Sequence, residues 1–165
     1  MLREFTRTRR AGGETGYSLP ELLIVIALIG LFVLFGGPAM ADAFKAYKVR
    51  SVANSLTVDL RALRYNAVSA RGSRTMTINN QADATAPNQY SYTTFKGDPI
   101  TVRIEPFVNI ETTSAASITF NMYGSTGVAG NQTLSVSMAI NGSRNDRYTI
   151  TVTPSGTISS AYSTF

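Results

Sequence analysis

Residues 16–35 read GYSLPELLIVIALIGLFVLF: a glycine, an aromatic, then Pro20 and Glu21, followed by fourteen positions that are apolar apart from Gly30. No residue from Leu22 to Ala41 is charged. Twenty helical residues rising about 1.5 Å each match a hydrocarbon core about 30 Å thick. The stretch therefore reads as a helix that enters a membrane, with one carboxylate, Glu21, at its lip. Pro20 falls in the first turn, where its missing N–H has no intrahelical partner to lose. Glu21 near the helix N-terminus favours the dipole, but in lipid its ionised form needs a cationic partner.

The rest of the composition narrows the chemistry. The chain has 165 residues with neither Cys nor His, which removes thiolate nucleophiles, imidazole bases and the usual zinc ligands. A Ser-His-Asp triad is impossible, and no cofactor is expected. The formal charge is +5, but Arg3, Arg7, Arg9 and Arg10 lie in the first ten positions with Glu4, and Glu14 follows. Beyond residue 16 the chain carries eleven Lys/Arg against eight Asp/Glu, a weak electrostatic attraction for an anionic partner. At this length one domain is expected.

The N-terminus has three readings, two from the residues alone and a third from a resemblance. A secretory signal would have a basic n-region, the apolar run and a small-x-small site at Ala39-Met40-Ala41, releasing a chain that starts at Asp42. A permanent anchor would stay uncut, with four basic residues before the span and Lys45, Lys48 and Arg50 after it, a slight bias for orientation. The third reading is a leader cut before the apolar run, at Gly16.

That junction resembles the type IV pilin and pseudopilin superfamily, whose class III leader ends in Gly and precedes an aromatic, a Glu five residues on and a long apolar helix. The resemblance implies cleavage between Gly16 and Tyr17 by a prepilin peptidase and N-methylation of Tyr17, where the family usually has Phe. It also implies an assembly role for Glu21, which would meet the α-amine of a neighbouring subunit. Burying such a pair costs desolvation, so its value would be in setting register between similar helices. The partners implied are other pilin or pseudopilin subunits, the peptidase and inner-membrane lipid. The placement implied is a single-pass inner-membrane protein with its C-terminal domain in the periplasm, and a filament after assembly.

Past the span, a second pattern begins. On a wheel of about 100° per residue, Val49, Val52, Ala53, Leu56, Leu60, Leu63 and Ala67 form one apolar stripe about 100° wide. It predicts an amphipathic helix running to Gly72, with Gly72 supplying the left-handed C-terminal cap. Gly36, Gly37 and Pro38 interrupt the middle, where a kink or local melting is expected. Arg50, Arg61, Arg64 and Arg71 flank the apolar face, as an edge for acidic neighbours or for solvent.

After Gly72 short alternating runs predict strands at 74–79, 89–95, 100–105, 117–121, 133–140, 147–152 and 157–160. Gly97-Asp98-Pro99, Gly124 to Gly127, Asn141-Gly142 and Pro154-Ser155-Gly156 supply the turns. Short connections favour antiparallel pairing. Leu63-Arg64-Tyr65-Asn66-Ala67-Val68, Ile118-Thr119-Phe120 with its following Gly turn, and Tyr148 to Val152 followed by Pro154-Ser155-Gly156-Thr157-Ile158 resemble GspH/FimT-type pseudopilins. The absence of a terminal disulfide loop points to a minor subunit within the family.

The expected architecture is α+β: a long N-terminal helix, membrane-spanning first and amphipathic later, packed on an antiparallel β-sheet domain. It divides as leader 1–16, transmembrane or filament-core helix 17–41, amphipathic helix 42–72 and β-rich domain 73–165. The function expected is that of a structural subunit of a type II secretion pseudopilus or a type IV pilus, not an enzyme. The alternative is a FimT-like minor pilin that binds DNA in natural transformation, with Arg144 and Arg147 as contacts. Against it, nothing from Tyr148 to Phe165 is charged, so a basic tail for phosphates is missing. Glu105, Glu111 and Asp59 share no acid/base motif, and Asp83, Asp98 and Asp146 lack calcium-ligand spacing.

Overall fold

The computed structural model describes residues 16–165, so the leader apart from Gly16 lies outside the described residues. Helix α1, Leu19–Ser69, starts after Ser18, whose carbonyl accepts the first helical bond from the Leu22 N–H at 3.2 Å. The helical assignment runs through Gly36, Gly37 and Pro38, so the segment does not melt. By its internal contacts the chain divides into two units, one ending at Ala39 and one spanning Met40–Phe165.

In the first unit α1 buries nothing: the side chains from Leu22 to Phe35 are exposed all round. Among the described residues α1 is the one helix long and apolar enough to cross a membrane. Its β-branched content would make a poor helix in water, but in lipid the backbone must satisfy its own polar groups, which favours the helix.

The second unit holds the core. The part of α1 within it turns one face inward, and Val49, Ala53, Leu56, Leu60, Leu63 and Ala67 are buried with Val52 half-buried, the stripe that the wheel predicts. Thr57 is buried on the same face; its hydroxyl donates to the Ala53 carbonyl at 2.8 Å, one turn back, so no polar group is stranded. The helix ends one residue earlier than the glycine rule suggests. Gly72 N–H reaches the Ala67 carbonyl and Arg71 N–H the Val68 carbonyl, a Schellman closure that places Arg71, not Gly72, in the left-handed position at φ 48°.

Two four-stranded antiparallel sheets follow. β1 (Arg74–Asn79), β2 (Gln89–Thr93), β3 (Pro99–Arg103) and β5 (Ser117–Phe120) form one, in the order β3-β2-β1-β5. β4 (Asn109–Ile110), β6 (Gln132–Asn141), β7 (Arg144–Val152) and β8 (Ile158–Thr164) form the other, in the order β4-β6-β7-β8. Period-two burial sets the registers: Met76 lies opposite both Tyr92 and Ile118, Val136 opposite Tyr148, and Ile150 opposite Ser160. Met76, Ile78, Tyr90, Ile118, Phe120, Leu134, Val136, Ile150 and Val152 join the helix stripe in one hydrophobic core.

Only β1 keeps the bounds expected from sequence; β2, β3, β5 and β6 shift by one or two residues at an end, and three larger differences have physical reasons. β4 has only two residues, too few to show a period. β7 begins at Arg144 because β6 and β7 close into a tight hairpin, with Asn141 opposite Arg144 across Gly142-Ser143. β8 runs on to Thr164, although its mixed Ser/Ala/Tyr content has no alternation; it is an edge strand, exposed along most of its length.

Candidate functional site

The exposed face of α1 is the first candidate. Glu21 is in its first turn and Tyr17 stands just ahead of it, 80% exposed. Among the described residues Glu21 makes no ion pair. Gly16, Tyr17 and Glu21 lie at one end of a helix whose apolar surface from Leu22 to Phe35 none of the described residues covers.

The second unit shows how the helix is held. Arg64 Nε donates to the Gly124 carbonyl at 2.9 Å, Tyr90 OH to Asp59 Oδ2 at 2.6 Å, and Asn141 Nδ2 to Asp42 Oδ2 at 2.9 Å. Lys48 pairs with Glu105 at 2.9 Å, and Lys45 Nζ donates to the Ile140 carbonyl. Burial, then the Asp59 carboxylate, pushes the Tyr90 phenol far above its ordinary range. Of the four arginines beside the apolar stripe, Arg64 is thereby committed to the fold and Arg71 sits in the helix cap. Arg50 and Arg61 remain exposed, with no ion pair among the described residues.

The turns after β5 and β7 meet at this helix. Gly124 and Gly156 have φ of +74° and +80°, and a Cβ on Gly156 would stand 1.8 Å from the Gly124 oxygen. Thr126 N–H adds a bond to the Pro154 carbonyl at 3.0 Å. Arg64, Gly124 and Gly156 belong to the three segments that carried the finer resemblance in the sequence. The fold brings them into one contact.

Arg144 and Arg147 are both engaged within the chain. Arg144 forms a two-pronged bond to the buried Asp146, at 2.6 and 2.9 Å, and donates to Tyr162 OH at 2.9 Å. Asp146, then Tyr162, raises the guanidinium above its ordinary range. Arg147 Nε donates to Glu111 Oε1 at 2.6 Å, and its guanidinium lies 4.2 Å over the Phe165 ring. Both guanidinium groups are thus paired within the chain.

The carboxylates are dispersed in the same way. Glu105, Glu111 and Asp59 each hold a different partner. Asp83 accepts the Ala86 and Thr85 N–H groups and the Asn79 amide, which keep its carboxyl below the usual range. Among the described residues no three His, Cys, Asp or Glu side chains gather as metal ligands. Asp59, Asp83, Glu105, Glu111 and Asp146 are engaged in tying loops and helix together.

No family model matches the chain, and no curated protein matches it. Among solved structures it is similar to the type IV minor pilin FimU of Pseudomonas aeruginosa strain PAO1 in space group P21, with a TM-score of 0.52 and 15% identity over 68% of this chain and 87% of that one. The same pilin in space group P65 gives a TM-score of 0.49 and 18% identity over 68% and 91%. Identity this low speaks to fold. With one long apolar N-terminal helix and antiparallel sheets packed on its second half, the chain has the pilin-like α+β fold.

Proposed function

We propose that the chain is a minor pilin or pseudopilin, a structural subunit that waits in the bacterial inner membrane and joins a type IV pilus or a type II secretion pseudopilus through α1. The observation that carries this reading is the uncovered apolar surface of Leu22 to Phe35 on a pilin-like fold. A helix apolar all round needs lipid or other helices about it, and assembly exchanges the first for the second. A prepilin peptidase cuts after Gly16, and Tyr17 becomes the methylated terminus. Glu21 then meets the α-amine of the next subunit, which sets the register between helices. Gly36, Gly37 and Pro38 give α1 a place to bend where it leaves the apolar run. The globular unit stands in the periplasm, and the subunit's partners are other pilin-like chains.

The test is an intact-mass and N-terminal analysis of the protein from its native membrane. A chain beginning with methylated Tyr17 supports the reading; one beginning at Asp42, or uncut, removes it. Glu21→Ala should still be processed yet enter filaments poorly, and normal incorporation would end the charge-pairing role. A DNA-binding role is not favoured, because Arg144 and Arg147 hold Asp146, Tyr162 and Glu111.

A further inference from the structure

A group of apolar side chains in the unit Met40–Phe165 is used by neither the core nor the contacts above. Met40, Ala43, Phe44 and Tyr47 line one shallow groove, and Phe44 and Phe107 line a second together with Lys45, Lys48 and Met138. Phe44 is 61% exposed and Phe107 76%. Single exposed apolar residues are ordinary, but a contiguous aromatic group is not.

Phe107 is also held at a cost. The Val108 N–H closes a turn onto the Glu105 carbonyl at 3.2 Å, with Pro106 and Phe107 at its centre and Phe107 at φ +80°. A turn of this kind, with Pro first and a positive φ second, normally takes Gly at the second place. Both ends are pinned: Glu105 pairs with Lys48, and Val108 is fully buried. The strained residue therefore does not relax, and its ring is presented outward rather than packed.

Position and chemistry indicate what the group faces. Met40 lies at the end of the uncharged run that closes at Ala41, with Phe44 three residues beyond, and Phe44, Tyr47 and Phe107 with Lys45 and Lys48, whose tips rest on the Ile140 carbonyl and Glu105, have the composition of an interfacial belt of aromatic rings and lysine stems. We infer that Phe44 and Phe107 form a lipid-docking patch, which seats the globular unit on the headgroup and upper acyl region of the bilayer before assembly. This rests on the reading that the first half of α1 lies in lipid. The patch gives the unassembled subunit a fixed stance on the membrane surface, and leaving the membrane uncovers it.

The chain has no Trp, so single Trp substitutions report unambiguously. The full chain would be reconstituted in phosphatidylcholine nanodiscs with acyl chains brominated either near the headgroup or near the chain ends. Phe44→Trp and Phe107→Trp should lose most of their emission to the shallow bromines and less to the deep ones. Phe95→Trp, at the opposite end of β3, should keep its emission. Leu31→Trp should be quenched by the deep bromines, which checks the anchor reading separately. Quenching of Leu31→Trp with Phe107→Trp unaffected overturns the patch and leaves the anchor standing; an unquenched Leu31→Trp removes the anchor and the patch with it. Phe107→Gly should raise the melting temperature of the unit, since it relieves the turn. A fall would mean that the ring is kept for folding, and would overturn its assignment to lipid.

Discussion

Replacing Gly156 with alanine should cost the globular unit about 2.5–5 kcal/mol, a large share of the roughly 5–15 kcal/mol that holds a domain folded. A Cβ at this position would lie 1.8 Å from the Gly124 oxygen, where real contacts stay beyond 3.0 Å. The two turns must part, and Gly124 carries the carbonyl that Arg64 Nε reaches at 2.9 Å. Losing that charge-assisted bond accounts for about 1.5–3 kcal/mol, and an alanine in the left-handed region adds about 1–2 kcal/mol. Gly127 separates the two contributions: its φ is +68° but nothing lies within 4 Å of an added Cβ, so Gly127→Ala should cost only the backbone share. Gly124→Ala, which meets the movable Arg64 and Val68 side chains at 3.0 and 3.1 Å, should fall between them. The assay is urea unfolding of a fragment starting at Met40, which contains every buried core residue among those described. Equal losses for Gly127→Ala and Gly156→Ala would refute the close contact of the turns as the cause.

Arg71→Gly should raise stability by about 1 kcal/mol, read as a higher urea midpoint, because the left-handed cap position at φ 48° penalises any residue with a Cβ. Tyr90→Phe should cost about 1–2 kcal/mol at neutral pH by removing the bond to Asp59. Tyr90's phenol is raised in the folded state above its value of 10.0 in the open chain, so its contribution is complete below pH 10 and is lost as pH rises above that. The parent's stability should therefore fall more steeply above pH 10 than that of Tyr90→Phe, as urea midpoints against pH would show. Parallel curves would contradict the assignment. Leu60→Ala, at a fully buried position on the helix stripe, should cost about 2–5 kcal/mol in the same assay.

The helix was readable because its signal is periodic and long. The spacing from Val49 to Ala67 marks one face of a helix whatever it packs on, and that face is the one buried. The cap was misplaced by one residue because glycine's tolerance of positive φ is a preference. The hydrogen bonds from Arg71 and Gly72 fix the closure, and those depend on where the chain must turn into β1. β4 escaped for want of length, and β8 ran past its expected end because backbone pairing with β7 extends it without help from side-chain pattern. The contact of Arg64, Gly124 and Gly156 joins residues far apart in sequence. Each segment could be noticed alone, but only the fold shows that they touch. Arg144 and Arg147 are two basic residues near a turn in the sequence, and only the fold shows Asp146 and Glu111 as their partners.

Among the described residues no buried core side chain precedes Val49. The contacts that hold the globular unit begin at Asp42, Lys45 and Lys48, so the energy that keeps it folded is indifferent to what surrounds the positions from Leu19 to Ala39. Such a chain can change solvent without refolding: a transfer from one apolar medium to another alters the surroundings of the front half of one helix and leaves the folding equilibrium of the rest untouched. The two halves of α1 also answer to separate constraints. Substitutions up to Ala39 are judged by whatever lies alongside, those from Met40 on by the domain's own contacts, and each part can drift without disturbing the other.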